Sequence, residues 1–476
     1  MNARFVVVRG LVIAALAFAG SAQAQVTPER SDATPLTLEE VIRAALARSP
    51  ALAAAEQERF IAAADARSAA GGFDPSWKTR GVLEPYGVYP SRYVDSVVEV
   101  PTTLWGARPF AGYRIGLGDF AVYDGKLATA DRGEVRGGVT VPVLRDGPID
   151  RRRAAIQRAD LGIEGARLSI EQQRIELVRA ASFRYWEWVV SGQRVKIARD
   201  LLEMTVARDA GLALRVERGD LPELERIENL RAMAQRRSQL ASAERSLQNA
   251  AIELSMFFRG PDGEPVLATT GRQPPSLLLP SAVAITRSPD DEQRAIARRP
   301  EVHRFKVSEE QSKIDLRLAE NQKLPGVDVF GAVSRDLGGG DPKKYGTEVE
   351  VGVLVDVPLL NRVQDGRARA ASASAAGAAA RGRLARDRIV ADVRDASSAI
   401  DQSRERALAA RGEVDVATRL VLGERQRFAQ GDGTLLFVNL REQALGEAEI
   451  REAEALGDHH RAVAAYRAAT AEPPAP

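Results

Sequence analysis

ALARSPALAAAE at residues 45–56 returns as AIARRPEVHRFK at residues 295–306, with Pro50 and Pro300 in the same place. A second proline follows each 25 residues on, Pro75 in GGFDPSW and Pro325 in NQKLPGVDVF, so both pairs are 250 residues apart. In each copy a polar, Ala-rich run with helical spacing leads into alternating apolar residues. The duplication predicts one plan used twice, a helical run feeding strands.

Outward from the first copy, Leu38 to about Ala70 reads as helix, with Thr37 as N-cap and Glu39 and Glu40 in the first turn. Gly71-Gly72 stops it. Residues 73–143 read as strands and turns, and Val135, Gly137, Val139, Val141 and Val143 share one face. From Arg151 to about Leu214 the helix pattern is unbroken. Ile156, Ile163, Ile170 and Leu177 recur every seven residues, which is coiled-coil spacing. Gly219-Asp220 breaks the run, Pro222 suits the first turn of a new helix, and that helix continues to about Phe258. Pro and Gly then dominate 260–289, a linker between the copies.

The second copy has strand segments at 325–359, with Val349, Val351, Val353, Val355 and Val357 on one side. Its long helix carries Val393, Ile400, Ala407, Val414, Val421 and Phe428 at sevenfold spacing, breaks at FAQGDGT, and is followed by a helix from about Leu435 to Ala469. The expected organisation is a leader at 1–24, a first repeat at 25–275 and a second at 276–476. Helices of about 60 residues would be roughly 90 Å long at 1.5 Å per residue, longer than any single globular domain needs.

Composition narrows the function classes. Aromatics are 5% and charged residues 28% of 476, the mixture of long Ala-packed helices rather than of a compact enzyme. Arg4 and Arg9, an apolar run from Leu11 to Ala19 and the small residues Ala22 and Ala24 form a secretory leader, too short to span a bilayer. Its removal leaves 65 basic against 65 acidic residues, which argues against a nucleic-acid partner. With no cysteine, disulfides, thiolate metal sites, a Cys nucleophile and an N-terminal lipid anchor are excluded.

This order of elements resembles the TolC-type outer-membrane efflux proteins over almost the whole mature chain. LTLEEVIRAALARSPAL at 36–52, VPVLRDGPIDRRRA at 141–154, VPLLNRVQDGRARA at 357–370 and the tips VERGDLPELERIENLRA and FAQGDGTLLFVNLREQA carry the likeness. The resemblance implies a mainly helical protein with a transmembrane β portion. Three chains would give four strands each to a twelve-stranded β-barrel, continued by a periplasmic α-helical coiled-coil tunnel. It implies a homotrimer in the outer membrane, in contact with its lipid and reaching into the periplasm. The function implied is the exit duct of a tripartite efflux or type I secretion system, which passes solutes from an inner-membrane pump through a periplasmic adaptor protein without catalysis or cofactor. Position by position it implies adaptor docking at Gly219, Asp220, Gly431 and Asp432, and a gate at Glu225, Phe428, Phe437 and Leu440. Phe437 and Leu440 stand where aspartates can line the constriction, which fits a hydrophobic constriction better than an acidic ring, with both readings open.

Pro75 to Pro142 is 67 residues against 33 for Pro325 to Pro358, an excess of 34, and ten of the chain's 25 aromatics lie from Phe73 to Pro142. A folded outer loop and extra strands both fit it. His459 and His460 are adjacent on a helix, point in different directions, and are expected at the surface rather than on a metal. GLGDF and GGGDPKK lack the strand–loop–helix setting of a phosphate cradle. The rival reading is a periplasmic coiled-coil adaptor or scaffold, which would need only one helical hairpin.

Overall fold

The computed structural model describes residues 34–279, 288–340 and 346–472; the leader read at 1–24 lies outside the described residues. The first half runs α1 (Leu38–Arg48), α2 (Pro50–Ala70), β1 (Ser76–Glu84), β2 (Ser91–Glu99), β3 (Arg108–Gly118), β4 (Glu134–Pro142), α3 (Arg151–Glu217) and α4 (Glu223–Ser255). The second runs α5 (Asp291–Arg298), α6 (Pro300–Asn321), β5 (Gly326–Asp336), β6 (Thr347–Asp356), α7 (Arg362–Gln430) and α8 (Leu435–Ala469).

The repeated motif is a joint. The single helix expected from Leu38 to Ala70 is two, because Pro50 has no N–H to continue the ladder and forces the residue before it out of the helical region. Ser49 is extended at ψ 122°, and Arg299 before Pro300 has the same ψ of 122°. Each proline then sits in the first turn of the following helix, where its missing N–H has no cost.

Helices α3 and α7, of 67 and 69 residues, are each about 100 Å long. Along α3 lie α2 and then α4; along α7 lie α6 and then α8. Contacts of α3 with both α6 and α8 bind the halves together. The midsection core joins Leu36 and Val41 to Trp188, Val189, Leu254 and Phe258. A matching cluster joins Ala295 and Val302 to Ile389, Val393, Ile400 and Tyr466. From the sevenfold row of α7, Val393, Ile400, Ala407 and Val421 are buried. No helix among the described residues is long and apolar enough to cross a membrane.

Where α8 crosses α3, glycine permits close approach: a Cβ on Gly457 would collide with Val190 Cγ2, and one on Gly446 with Leu201 Cδ1. This crossing overturns the surface expectation for the histidines. His459 is buried, with Nδ1 3.0 Å from the Ser403 hydroxyl. The His460 ring stacks on Trp186 at 3.7 Å between centroids and donates from Nε2 to the Leu278 carbonyl at 2.9 Å. Packing of α8 against both α3 and α7 covers the two ring directions at once.

The strands form one antiparallel meander in the order β1-β2-β3-β4-β5-β6. Four per chain are implied by the resemblance; among the described residues there are six, because the longer first region makes two hairpins where the second makes one. RYVDSVVEV at 92–100 and RPFAGYRIG at 108–116 pair with each other as strands. The halves meet where β4 pairs with β5, Val141 opposite Val329. The sheet is sheared. One row runs from Ser76, at the start of β1, through Glu99, Phe110, Gly138 and Ala332 to Glu350 inside β6.

Two outcomes are expected in thermal unfolding. Gly457→Ala should lower stability by about 1–3 kcal/mol through overpacking, despite alanine's better helix propensity, and Val190→Ala should restore part of the loss in the double variant. Burial pushes His460 down to about 4, against the hydrogen bond to Leu278 that favours its charged form. The ring stays neutral in the fold and charges when unfolded. Its contribution is therefore complete above the ordinary histidine value of about 6.5 and is lost as pH falls toward 4. His460→Phe should flatten that part of the stability–pH curve.

Candidate functional site

The two ends of the long helices are built alike. At the end of α3, Gly219 takes φ 77°; its N–H donates to the Val216 carbonyl at 3.0 Å and the Asp220 N–H to the Arg215 carbonyl at 2.9 Å. At the end of α7, Gly431 takes φ 86°; its N–H reaches the Phe428 carbonyl at 3.2 Å and the Asp432 N–H the Arg427 carbonyl at 3.0 Å. This is the Schellman arrangement, and its left-handed residue explains glycine at both positions. Asp220 and Asp432 are exposed on the turns.

The tips are fastened to each other. Glu225, in the first turn of α4, accepts from the Leu435 N–H at 2.8 Å and so caps α8. Phe428 packs with Leu221 against Leu212, Leu435 and Val438, and the Arg215 guanidinium lies 5.6 Å from its ring centre. Phe437 and Leu440 behave differently: they are 51% and 49% exposed on α8. Among the expected gate residues, two are bonded between helices and two present free apolar surface.

Sequence reading missed the centre of this region. Glu442 of α8 is fully buried among three arginines from three other helices. Arg208 of α3 reaches its Oε1 at 2.5 Å, Arg236 of α4 its Oε2 at 3.0 Å, and Arg425 of α7 its Oε1 at 2.7 Å. Arg208 also donates to Asn439 at 3.1 Å, and Arg236 to the Thr205 hydroxyl and the Leu201 carbonyl. Burial raises the Glu442 carboxyl; the bonds from Arg208, Arg425 and Arg236 outweigh that and hold it below its ordinary value. All four helices thus meet on one carboxylate. An acidic residue in a helix of mixed composition gives no sign of this, since its partners lie up to 234 residues away.

The sheet has two chemically distinct faces. Val349, Val351, Val353 and Val355 share one with Val327, Val329, Val333, Val135, Val139, Val141, Ile115, Leu117, Val94, Val98 and Trp77. On the other, ion pairs cross between strands: Lys78–Glu99 at 2.9 Å, Arg136–Asp95 at 2.6 Å, Arg114–Glu134 at 2.5 Å and Arg108–Asp328 at 3.0 Å. An apolar face backed by a charged one suits lipid outside and water inside. Both β1 and β6 end the sheet with unpaired edges in the single chain.

Residues 292–472 match the model of the family described as outer membrane efflux protein. No curated protein sequence matches the chain. Among solved structures, the chain is similar to the outer-membrane channel OprN at 16% identity and a TM-score of 0.68, covering 91% of this chain and 89% of that one. It is similar to the outer membrane protein VceC from Vibrio cholerae at 15% identity and a TM-score of 0.65, over 91% and 95%. It is also similar to the outer membrane channel CmeC from Campylobacter jejuni at 12% identity and a TM-score of 0.63, over 97% and 94%. The resemblance to TolC-type outer-membrane efflux proteins is thereby borne out: the chain has the fold of these channels, helical portion and sheet together.

Glu442→Gln should destabilise the tip by about 3–5 kcal/mol, because it leaves buried guanidinium charge without its carboxylate. The carboxylate's contribution is present above the ordinary glutamate value and is lost as pH falls through its lowered one. Urea unfolding of wild type should therefore approach that of the variant as pH falls below the ordinary glutamate range.

Proposed function

We propose that this chain, with the outer membrane efflux family's signature in residues 292–472 and the fold of its channels throughout, is an outer-membrane exit duct. It passes solutes delivered by an inner-membrane pump through a periplasmic adaptor, as part of a tripartite efflux or type I secretion system, and catalyses nothing itself. The observation that carries the reading is the two-faced sheet with open edges. In lipid every backbone N–H and C=O needs a partner, so a spanning sheet must close. Six strands are too few, since the smallest such barrels have about eight. Copies of the chain must therefore join β6 of one to β1 of the next. The trimer implied by the family resemblance makes eighteen strands, not twelve. With strands about 4.8 Å apart and tilted about 40°, the barrel is about 36 Å across against about 24 Å for twelve.

Below the barrel, α3 and α7 with their flanking helices form the tunnel wall of the two tandem repeats, 25–275 and 276–476. Gly219-Asp220 and Gly431-Asp432 project from its periplasmic end and are the docking points for the adaptor. Phe437 and Leu440 are the constriction, closed by apolar contact and exclusion of water. Glu225 and Phe428 fasten the α3–α4 and α7–α8 tips to each other, so opening shifts these helices together when the adaptor docks.

Membrane fractionation with mild detergent extraction tests the reading. The protein should reside in the outer membrane as a complex of three mature chains; release without detergent as a monomer or dimer would favour a periplasmic scaffold. Val351→Arg, on the lipid face, should block assembly, since an arginine near the bilayer midplane costs about 2–4 kcal/mol for each copy. Phe437→Asp should leave assembly intact and raise single-channel conductance severalfold in planar bilayers; unchanged conductance would count against this gate.

A further inference from the structure

The connection between β3 and β4, residues 119–133, does not extend beyond the sheet. It turns back across the charged face. A Cβ on Gly116, which would project from that face, would collide with the Leu127 carbonyl. The Thr129 N–H bonds the Gly116 carbonyl at 3.1 Å, and its hydroxyl accepts from the Gly116 N–H, also at 3.1 Å. Further along, the Ala130 N–H donates to Asp336 Oδ1 of β5 at 2.7 Å. Lys126 Nζ reaches Glu350 Oε1 of β6 at 3.0 Å. Asp336 and Glu350 lie on the charged face, so the segment is held from β3 across to β6 on that side. Within it Ala121 and Ala130 are buried, whereas Val122 and Tyr123 are 98% and 84% exposed.

We infer that residues 119–133 are a constriction folded inside the outer mouth of the barrel, which limits the duct to small solutes and excludes polypeptide-sized cargo. The inference rests on the channel reading, which makes the charged face the inside. The β3–β4 connection is at the end of the sheet away from the helices, hence at the outer mouth. A layer of chain on a sheet adds about 10 Å, so three copies narrow the bore from about 36 Å to about 16 Å. The extra hairpin widens the barrel and the connection fills the space it opens. Val122 and Tyr123 then face the axis and set the limit.

The absence of cysteine makes a direct test possible. Leu354 lies on the charged face, is 63% exposed and sits on the helix side of the segment. Leu354→Cys in intact cells would be labelled from outside with a small membrane-impermeant maleimide and with a polyethylene-glycol maleimide sized to pass the open barrel but not the narrowed bore. With the segment intact, the polymer should react at least tenfold more slowly than the small reagent. Replacing residues 121–128 by a short Gly-Ser turn should remove that difference. Lys126→Glu, which sets like charge against Glu350, should reduce it, and adding Glu350→Lys should bring it back; this pair serves if the shortened chain fails to assemble. Equal polymer labelling with the segment intact and removed would overturn the constriction. Labelling by neither reagent in cells, with both reacting after lysis and unfolding, would overturn the channel reading on which it stands.

Discussion

The pairing of β4 with β5 is the constraint on which the rest of the molecule depends. It is the strand contact between the two halves, and it sets Val135, Val139 and Val141 on the same side as Val327, Val329 and Val333. Because side chains alternate with period two, a slip of one residue would turn the valines of one half onto the charged side of the other. The same register sends α3 and α7 away from a common end of the sheet. A single pairing thus couples the side that can meet lipid to the direction in which the helices run.

Away from the sheet, the halves are held by different chemistry at each level. Apolar side chains and glycine contacts dominate the middle, where α8 lies close on α3. Near the tips a carboxylate joins the apolar contacts of Phe428, Leu435 and Val438. Glu442 gathers Arg208, Arg236 and Arg425, and a buried ion cluster of this kind holds geometry more strictly than it adds stability. Apolar contacts tolerate sliding; a buried carboxylate with three directional donors does not. This is the level at which four helices converge on one group.

The departures from the resemblance fall together. Two extra strands enlarge the sheet, and the connection from β3 to β4 returns over its charged face. The excess of 34 residues in the first strand region is therefore one coordinated elaboration at the end remote from the tips. Neither feature disturbs the joints at Pro50 and Pro300, because the insertion enters and leaves on the same strand plan.

Local rules made much of this legible. Gly219 and Gly431 act through their own backbone preferences; heptad rows such as Val393 to Val421 act through helix geometry. Alternation at Val349–Val355 marks a strand whatever surrounds it. The number of strands was not legible, because RYVDSVVEV and RPFAGYRIG alternate weakly and become strands only when each has a neighbour. Nor were the burial of His459, the stacking of His460 on Trp186, the Glu442 cluster, or the path of residues 119–133. Sequence by itself determined where the long helices break at Gly219 and Gly431 and which strands have an apolar side, since these depend on residues a few positions apart. Tertiary structure alone decided which charges meet and which faces are covered, since those depend on groups brought together from across the chain by packing.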